Sequence, residues 1–291
     1  MREINIYLFN KLINIRSDVA SDIANIEFIF RKYCKENMSN NKKADIYFLL
    51  KNNKKVYPKK NILSCFYYNQ NQNIFYKLKN ESIFKKWKSK NTFLPPIDTI
   101  LFRNKFLILH GVGLYKNGHS FIFLGNNYSG KSIILLYGIK HGYKSISDDL
   151  IFYDINKGEI IPYFKPLGIR STAKKISEDF SILYDSLEEI DHRDFYDSNN
   201  KFNTRIFHLE DYFPNSFIEF NVKIDNIFMI DSFSKKKLSF DERIELIEKG
   251  CCSSNIDEAL KFENIININQ QLNKIEYIKG KGALDELFQK I

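Results

Sequence analysis

The chain has 291 residues, of which 44% are hydrophobic and 15% aromatic, and its 44 Lys and Arg against 35 Asp and Glu give a net charge of +9. This apolar content is enough to bury a core and excludes a wholly disordered chain, while 12 glycines and 6 prolines exclude a collagen-like or linker-dominated one. The length favours one main domain and a smaller one.

Targeting and redox signals predict a soluble, cytoplasmic protein. The four cysteines, Cys34, Cys65, Cys251 and Cys252, form no Cys-x-x-Cys motif and no Cys/His spacing typical of zinc sites, which favours reduced thiols. The N-terminal residues lack the pattern of a signal peptide, and the apolar runs are shorter than the ~18 residues of a membrane-spanning helix. We therefore expect no membrane partner. Assembly into a homo-oligomer is left open.

The N-terminal third alternates short apolar runs with polar breaks, which is typical of a small, mostly β domain. The pair Pro95-Pro96 predicts a domain boundary, giving a small N-terminal α+β domain over residues 1–95 and a main domain over residues 96–291. The stretch Val19–Lys35 fits either a helix or a pair of strands. The other elements expected here are strands over Ile4–Phe9, Ala44–Leu50 and Ile62–Tyr68 and a short basic helix over Ser82–Lys90.

Strand and helix patterns alternate after this boundary, which predicts an α/β fold. Asn117-Gly118 is a hairpin signal, and Gly142 is expected to end a helix in the left-handed conformation. The expected strands are Lys105–Tyr115, Ser120–Leu124, Tyr143–Ile146 and Leu150–Tyr153, and the expected helices are Ile133–His141, Ala173–Glu189, Phe240–Lys249, Asn255–Phe262 and Gly282–Gln289. We expect a loop over Ile161–Arg170, a mobile polar segment over Asp191–Thr204, and a strand-like stretch over Phe217–Asp231 with a hairpin around Lys223–Asn226.

A phosphate-binding loop follows the second of these strands. The segment Gly125–Ser132 matches the motif GxxxxGK[ST], which a chain of this length contains by chance about once in a hundred sequences. Backbone N–H groups and the helix N-terminus bind phosphate in such a loop. Lys131 would contact the β- and γ-phosphates, and Ser132 would offer its hydroxyl to Mg²⁺. The nucleotide-binding residues are therefore Gly125, Asn126, Asn127, Tyr128, Ser129, Gly130, Lys131 and Ser132.

Two adjacent carboxylates, Asp148 and Asp149, come 17 and 18 residues after Lys131. In a parallel βαβ unit they would lie at the same sheet edge as the phosphate loop. Adjacent strand residues point to opposite faces, so one carboxylate would face Mg²⁺, directly or through water, and the other a hydroxyl whose proton it accepts. The two cannot share one role unless the chain bends. His110 could pair with a carboxylate there or be a core residue.

Five short stretches carry a family resemblance: Leu109-His110-Gly111-Val112-Gly113, Asn117-Gly118, Gly125–Ser132, Gly142-Tyr143 and Ser147-Asp148-Asp149. Together they resemble the P-loop kinase domain of HPr kinase/phosphorylase and its relatives. These relatives include stand-alone kinases found with ribosomally made peptides such as lasso peptides. The clear resemblance covers Phe106–Arg170, which is under a quarter of the chain.

The resemblance implies a P-loop kinase core with a mixed sheet and helices that uses ATP and Mg²⁺. Its implied catalytic residues are Asp148 as general base, His110 tuning that base, Lys131 on the phosphates and, in a basic loop over Tyr163–Arg170, Arg170 on the transferring phosphate. The implied metal contacts are Ser132 and Asp149.

The leading hypothesis is an ATP- and Mg²⁺-dependent kinase that phosphorylates a hydroxyl, expected to be that of Ser, on a peptide in modified-peptide biosynthesis. A kinase of a small molecule or free amino acid is an alternative, as is a nucleotide-binding regulatory protein without transfer activity. The net charge also raises nucleic-acid binding as a hypothesis. The Lys clusters, such as Lys235-Lys236-Lys237, are short and scattered, so we expect no nucleic-acid partner.

Overall fold

The computed structural model describes residues 2–17, 20–34, 46–50, 105–125, 129–197, 202–230, 239–251, 258–271 and 288. The chain divides into two compact units, Met1–Leu101 and Phe102–Ile291. The expected domain boundary at Pro95-Pro96, the strand over Ile62–Tyr68 and the helix over Ser82–Lys90 lie outside the described residues, as does all of the helix over Gly282–Gln289 except Phe288. Among the described residues, no helix is long and apolar enough to cross a membrane.

The described residues of the first unit form a three-stranded sheet, one α-helix and a 3₁₀ turn over Arg31–Tyr33. Its described elements are β1 (Arg2–Leu8), β2 (Lys11–Ser17), α1 (Ala20–Ile29) and β3 (Ile46–Leu50). Strands β1 and β2 form an antiparallel hairpin, and β2 also pairs with β3 in parallel. The stretch Val19–Lys35, which fitted a helix or two strands, is helical in α1. Two of the expected strands are confirmed here, by β1 and β3.

The second unit has a six-stranded mixed sheet and a separate three-stranded sheet. The large sheet has the order β12-β5-β4-β7-β8, and β6 also pairs with β4. Its strands are β4 (Phe106–Lys116), β5 (His119–Gly125), β6 (Lys144–Ser147), β7 (Leu150–Asp154), β8 (Glu159–Ile161) and β12 (Asn226–Ile230). The small sheet, in the order β10-β11-β9, consists of β9 (Leu167–Arg170), β10 (His192–Asp197) and β11 (Phe202–Phe207). The helices are α2 (Lys131–Lys140), α3 (Glu178–Ser186), α4 (Leu209–Tyr212), α5 (Phe240–Gly250) and α6 (Glu258–Gln271).

The long strand β4 organises the large sheet. Its first half pairs with β7, and its second half pairs with β5 on one side and β6 on the other. Both neighbours run antiparallel to β4, so β5 and β6 are parallel to each other and end at the same edge of the sheet. A parallel βαβ unit was expected here. In the structure, β5 and β6 are not adjacent, because β4 lies between them.

The turn and cap predictions near β4 are confirmed. The hairpin between β4 and β5 turns at Asn117 and Gly118, which have φ angles of 52° and 89°. These are the left-handed values that an Asn-Gly hairpin turn requires. Gly142, with a φ of 80°, follows the end of α2 in the left-handed conformation.

The large sheet has an apolar core on each face. Along β5, Phe121 and Phe123 belong to one buried cluster and Ile122 and Leu124 to the other, as the alternation of side chains along a strand requires. Helix α2 contributes to the first cluster, and helices α5 and α6 contribute to the second. This packing fixes the start of α2 against the strand ends that carry the predicted site.

Sequence reasoning was wrong for the segment between β8 and α3. Ile161–Arg170 was expected to be a loop, yet its last four residues form β9, with Leu167 and Ile169 buried. The helix expected over Ala173–Glu189 is confined to α3, between two 3₁₀ turns over Ser171–Lys175 and Leu187–Glu189. Ser177 caps α3 by accepting a hydrogen bond from the N–H of Phe180, which starts the helix later than expected.

Two further expectations after residue 190 are corrected, and one segment contains strands that were not expected. The mobility expected of Asp191–Thr204 stays a prediction, but its described residues lie largely in the antiparallel pair β10–β11. Among the described residues of Phe217–Asp231, which end at Ile230, only β12 is a strand, and it pairs in parallel with β5 rather than closing a hairpin around Lys223–Asn226. The helix expected over Asn255–Phe262 is α6, which extends past Phe262 to Gln271, while Asn255, Ile256 and Asp257 lie outside the described residues. The helix expected over Phe240–Lys249 is confirmed by α5.

Candidate active site

The predicted phosphate loop joins the end of a strand to the start of a helix. Strand β5 ends at Gly125, and α2 begins at Lys131 directly after Gly130, whose φ is 93°. The predicted binding residues Asn126, Asn127 and Tyr128 lie outside the described residues. The first N–H groups of a helix have no acceptor within the helix, and its dipole places partial positive charge there, so this end of α2 suits an anion.

Lys131 lies with its ammonium against the loop itself. Its side chain is buried, and Nζ donates a 2.9 Å hydrogen bond to the carbonyl oxygen of Gly125, at the opposite end of the loop. The hydrogen bond therefore joins the two described ends of the loop, and in a loop of this motif the lysine contacts phosphate.

The loop also holds a buried hydroxyl that suits a ligand. Ser129 Oγ is shielded from solvent and has no hydrogen-bond partner among the described residues. A Cβ atom added at Gly125 would lie 2.8 Å from this oxygen and 2.8 Å from the carbonyl oxygen of Ile230. Only glycine fits at that position. A buried hydroxyl without a partner costs free energy, and a phosphate oxygen would supply the missing hydrogen bond.

The two aspartates lie in a sharp turn between β6 and β7. Asp149 has a φ of 68°, which is unusual for a residue with a side chain. The N–H of Leu150 donates to the carbonyl oxygen of Asp148 at 2.8 Å, and the N–H of Gly111 donates to that of Asp149 at 3.1 Å. The chain therefore bends at the pair, and each carboxylate has partners of its own.

Asp148 is the buried member of the pair, with 7% of its surface exposed. The hydroxyl of Ser132 donates a 3.3 Å hydrogen bond to its Oδ1 atom. Burial, followed by the negative charge of Asp149, raises the pKa of Asp148 to about 7, although the charges of Lys165 and Lys131 and the Ser132 hydrogen bond act in the opposite direction. A carboxyl with a pKa near neutrality can both accept and release a proton at physiological pH.

Asp149 is held between the ammonium of Lys165 and the imidazole ring of His110. Lys165 Nζ lies 3.1 Å from its Oδ2 atom, and His110 Nε2 lies 3.1 Å from its Oδ1 atom. The charge of Lys165 is the largest cause that holds the pKa of Asp149 well below its ordinary value, and the hydrogen bond and charge of His110 add to it. Asp149 is therefore a fixed carboxylate.

A cavity of about 250 Å³ brings the predicted groups together. Its lining residues are His110, Ser129, Gly130, Lys131, Ser132, Ile133, Asp148, Asp149, Gly168, Ile169, Arg170, Thr172, Ala173 and Ile176. All six residues predicted to act in catalysis or on the metal are among them. Arg170 enters from the end of β9, which pairs with β11 at Thr204.

The contacts of His110 and Asp149 differ from those that the sequence-based roles imply. His110 was expected to tune Asp148, but its ring contacts Asp149 instead. Asp149 was expected to contact Mg²⁺, and this stays a prediction, since both of its oxygens already face His110 and Lys165. The contact of Lys165 with Asp149 was missed, although this residue stands in the basic segment from which only Arg170 was chosen.

The oxygen atoms at the cavity fit a magnesium ion bound mainly by phosphate and water. The described residues contain no group of three His, Cys, Asp or Glu side chains arranged to hold a metal. Mg²⁺ in phosphoryl-transfer sites typically uses one or two protein oxygens, with substrate phosphates and waters completing its shell. Ser132 Oγ, on a residue that lines the cavity, offers such an oxygen.

Comparisons with known proteins add little to this description. Neither the protein-family models nor the curated proteins match the sequence. Among solved structures, the HPr(Ser) kinase/phosphatase from Coxiella burnetii is similar over 45% of this chain and 70% of that chain, with 14% sequence identity and a TM-score of 0.27. At this TM-score the likeness assigns no function to the chain.

Proposed function

We propose that this protein is an ATP- and Mg²⁺-dependent kinase that transfers the γ-phosphoryl group to a hydroxyl group, that of Ser, on a peptide. The observation that carries the proposal is the placement of Lys131, Ser132 and Asp148 on one cavity, with Asp148 hydrogen-bonded to Ser132 at 3.3 Å. Phosphoryl transfer requires a phosphate cradle, a metal-binding oxygen and a group that receives the proton of the nucleophile, and this cavity contains candidates for each.

The loop and α2 would bind the phosphates of the nucleotide. Lys131 places a positive charge at the cavity, the buried Ser129 hydroxyl can donate to a phosphate oxygen, and the N-terminus of α2 lines the same space. Ser132 would hold Mg²⁺, whose charge would offset that of the β- and γ-phosphates once bound. Arg170, on the same cavity, would stabilise charge that develops on the transferring group.

Asp148 is the proposed general base. The proton of the acceptor hydroxyl goes to its carboxylate, and the hydroxyl oxygen forms a bond to the γ-phosphorus. The bond between that phosphorus and the β–γ bridging oxygen breaks, and its electron pair leaves with ADP. A base with a pKa of about 7 is largely ionised at slightly alkaline pH and still basic enough to accept the proton.

The peptide acceptor rests on the family resemblance rather than on a contact in the cavity. The lining from residues 168–176 combines Arg170 and Thr172 with the apolar Ile169, Ala173 and Ile176. Such a lining accommodates a side chain or a small molecule equally well. A small alcohol or a free amino acid is therefore the competing acceptor within the same reaction class.

The proposal is tested by incubating the protein with γ-³²P-labelled ATP, Mg²⁺ and three sets of acceptors: a library of Ser-containing peptides, free amino acids, and small alcohols. Label transferred to a peptide in the library supports the proposal, and transfer only to the small acceptors replaces the peptide by the competing substrate class. A protein that binds ATP with no transfer to any acceptor over hours would instead be a regulatory nucleotide-binding protein. EDTA serves as the control, because it removes Mg²⁺.

A further inference from the structure

Lys165 is fixed in place by the chain on either side of it. It lies in the segment between β8 and β9, where Tyr163 is 1% exposed and its N–H donates to the carbonyl oxygen of Ile146 at 3.0 Å. Pro166, which directly follows Lys165, is also buried. Only 16% of the Lys165 side chain is exposed. The segment therefore runs alongside β6 and brings the ammonium to the turn that carries the two aspartates.

The carboxylate of Asp149 is held at both oxygens and at its backbone. Lys165 contacts Oδ2 and His110 contacts Oδ1, each at 3.1 Å, while the backbone oxygen accepts a hydrogen bond from Gly111. Donors on both oxygens fix the direction of the carboxylate as well as its position. This anchoring holds Asp149 in a backbone conformation that residues with a side chain seldom adopt.

The fixed position of Asp149 determines where its neighbour points. The two residues are adjacent in a tight turn, so a rotation that released Asp149 would also move the Asp148 carboxylate away from Ser132. Among the described residues that line the cavity, Asp148 and Asp149 are present and Lys165 is not. Lys165 therefore acts on the reaction through the turn of the two aspartates: it contacts Asp149 directly, and its charge also lowers the pKa of Asp148.

We propose that Lys165 is a positioning residue of this site: together with His110 it clamps the carboxylate of Asp149, and the clamped turn aims Asp148 at the phosphate loop. The inference rests on the proposed phosphoryl transfer. In this role Lys165 affects the orientation of the base Asp148 and does not affect nucleotide binding. Loss of the clamp should therefore lower kcat and leave the affinity for ATP unchanged.

The test compares Lys165→Met and Lys165→Arg with a matched control, Lys157→Met, which removes an exposed lysine in the turn before β8. The readouts are kcat, KM for ATP, and the Kd of an ATP analogue. Misplacement of a catalytic group by about 1 Å can cost about 10²-fold in rate, so we expect Lys165→Met to lower kcat by at least about tenfold with Kd within about threefold. Lys165→Arg, which keeps the charge, should recover most of kcat.

The double variant Lys165→Met with Asp149→Asn separates a positioning role from a loss of folding. If Lys165 acts through Asp149, the double variant should have the same kcat as Asp149→Asn alone, because effects on one pathway do not add. An unchanged kcat in Lys165→Met, or additive losses in the double variant, would overturn the inference. A wild-type protein that transfers no phosphate would instead refute the proposed function, so the two failures are distinguishable.

Discussion

The hydroxyl of Ser132 donates a 3.3 Å hydrogen bond to the carboxylate of Asp148, and so joins the first turn of α2 to the turn after β6. Sixteen residues separate the two in the chain. The contact exists because β5 and β6 flank β4 and end at the same edge of the sheet. It places the hydroxyl expected at Mg²⁺ next to the carboxylate expected to act as base, which is the central geometric relationship of the site.

The phosphotransfer rate should rise with pH through neutrality. The pKa of Asp148 is about 7, and only its ionised form accepts a proton, so kcat/KM should increase from pH 6 to pH 8 and then level off. The measurement is the pH profile of kcat/KM for the acceptor at saturating ATP. A profile that is flat between these pH values would show that the rate does not depend on Asp148 ionisation.

Asp148 should make the protein less stable as the pH rises. Because its folded pKa lies above the ordinary value of 3.8, the folded state retains between about pH 4 and pH 7 a proton that the unfolded state has released. The stability that this proton confers is lost as the pH passes through 7. Urea unfolding should therefore show Asp148→Asn gaining stability relative to wild type between pH 5 and pH 8. The exposed Asp179→Asn is the control and should show no such gain.

Replacement of Lys131 should slow phosphotransfer and weaken nucleotide binding. Lys131→Met removes the positive charge at the cavity, and losing one such electrostatic contact costs about 10²- to 10³-fold in rate. Calorimetry with ATP and Mg²⁺ should also show a weaker Kd. Lys140→Met is the matched control on the same helix, because Lys140 is exposed and its ion pair with Asp179 is on the surface. Equal ATP affinity in the two variants would contradict the assignment of the loop.

Arg205 should stabilise the small sheet that carries Arg170. It is buried, donates a 2.6 Å hydrogen bond to the carbonyl oxygen of Tyr184, and stacks over the ring of that residue at 4.5 Å. Arg205→Met removes this buried hydrogen bond and the stacking contact, so we expect a loss of about 2 kcal/mol in the free energy of unfolding. Chemical denaturation is the measurement. The control Arg193→Met removes a half-exposed ion pair and should cost less than about 1 kcal/mol. Equal losses would show that burial of Arg205 contributes nothing.

Local signals in the sequence predict much of the large sheet and most of the site. The Asn117-Gly118 turn and the loop motif specify their own conformations, so both hairpin strands and the start of α2 follow from residues close together in the chain. The small sheet was missed because it depends on distant contacts. Strand β9 forms only where β11 pairs with it, and the polar residues of β10 and β11 resemble those of a loop.

The partners of the two aspartates could not be predicted for a similar reason. The sequence places Asp148 and Asp149 together, but which one is buried depends on the turn at Asp149 and on the course of the chain after β8. Lys165 reaches Asp149 only because its segment runs beside β6. No pattern of residue types near either aspartate indicates this contact.

The central claim is most directly tested by Asp148→Asn, measured side by side with wild type for transfer of ³²P from γ-labelled ATP to an acceptor and for binding of an ATP analogue. General-base catalysis contributes about 10²- to 10⁴-fold, so we predict a loss of transfer within this range, with Kd for the analogue within about threefold of wild type. Asn keeps the size of the side chain and can still meet Ser132. A variant that transfers phosphate at the wild-type rate would contradict the account.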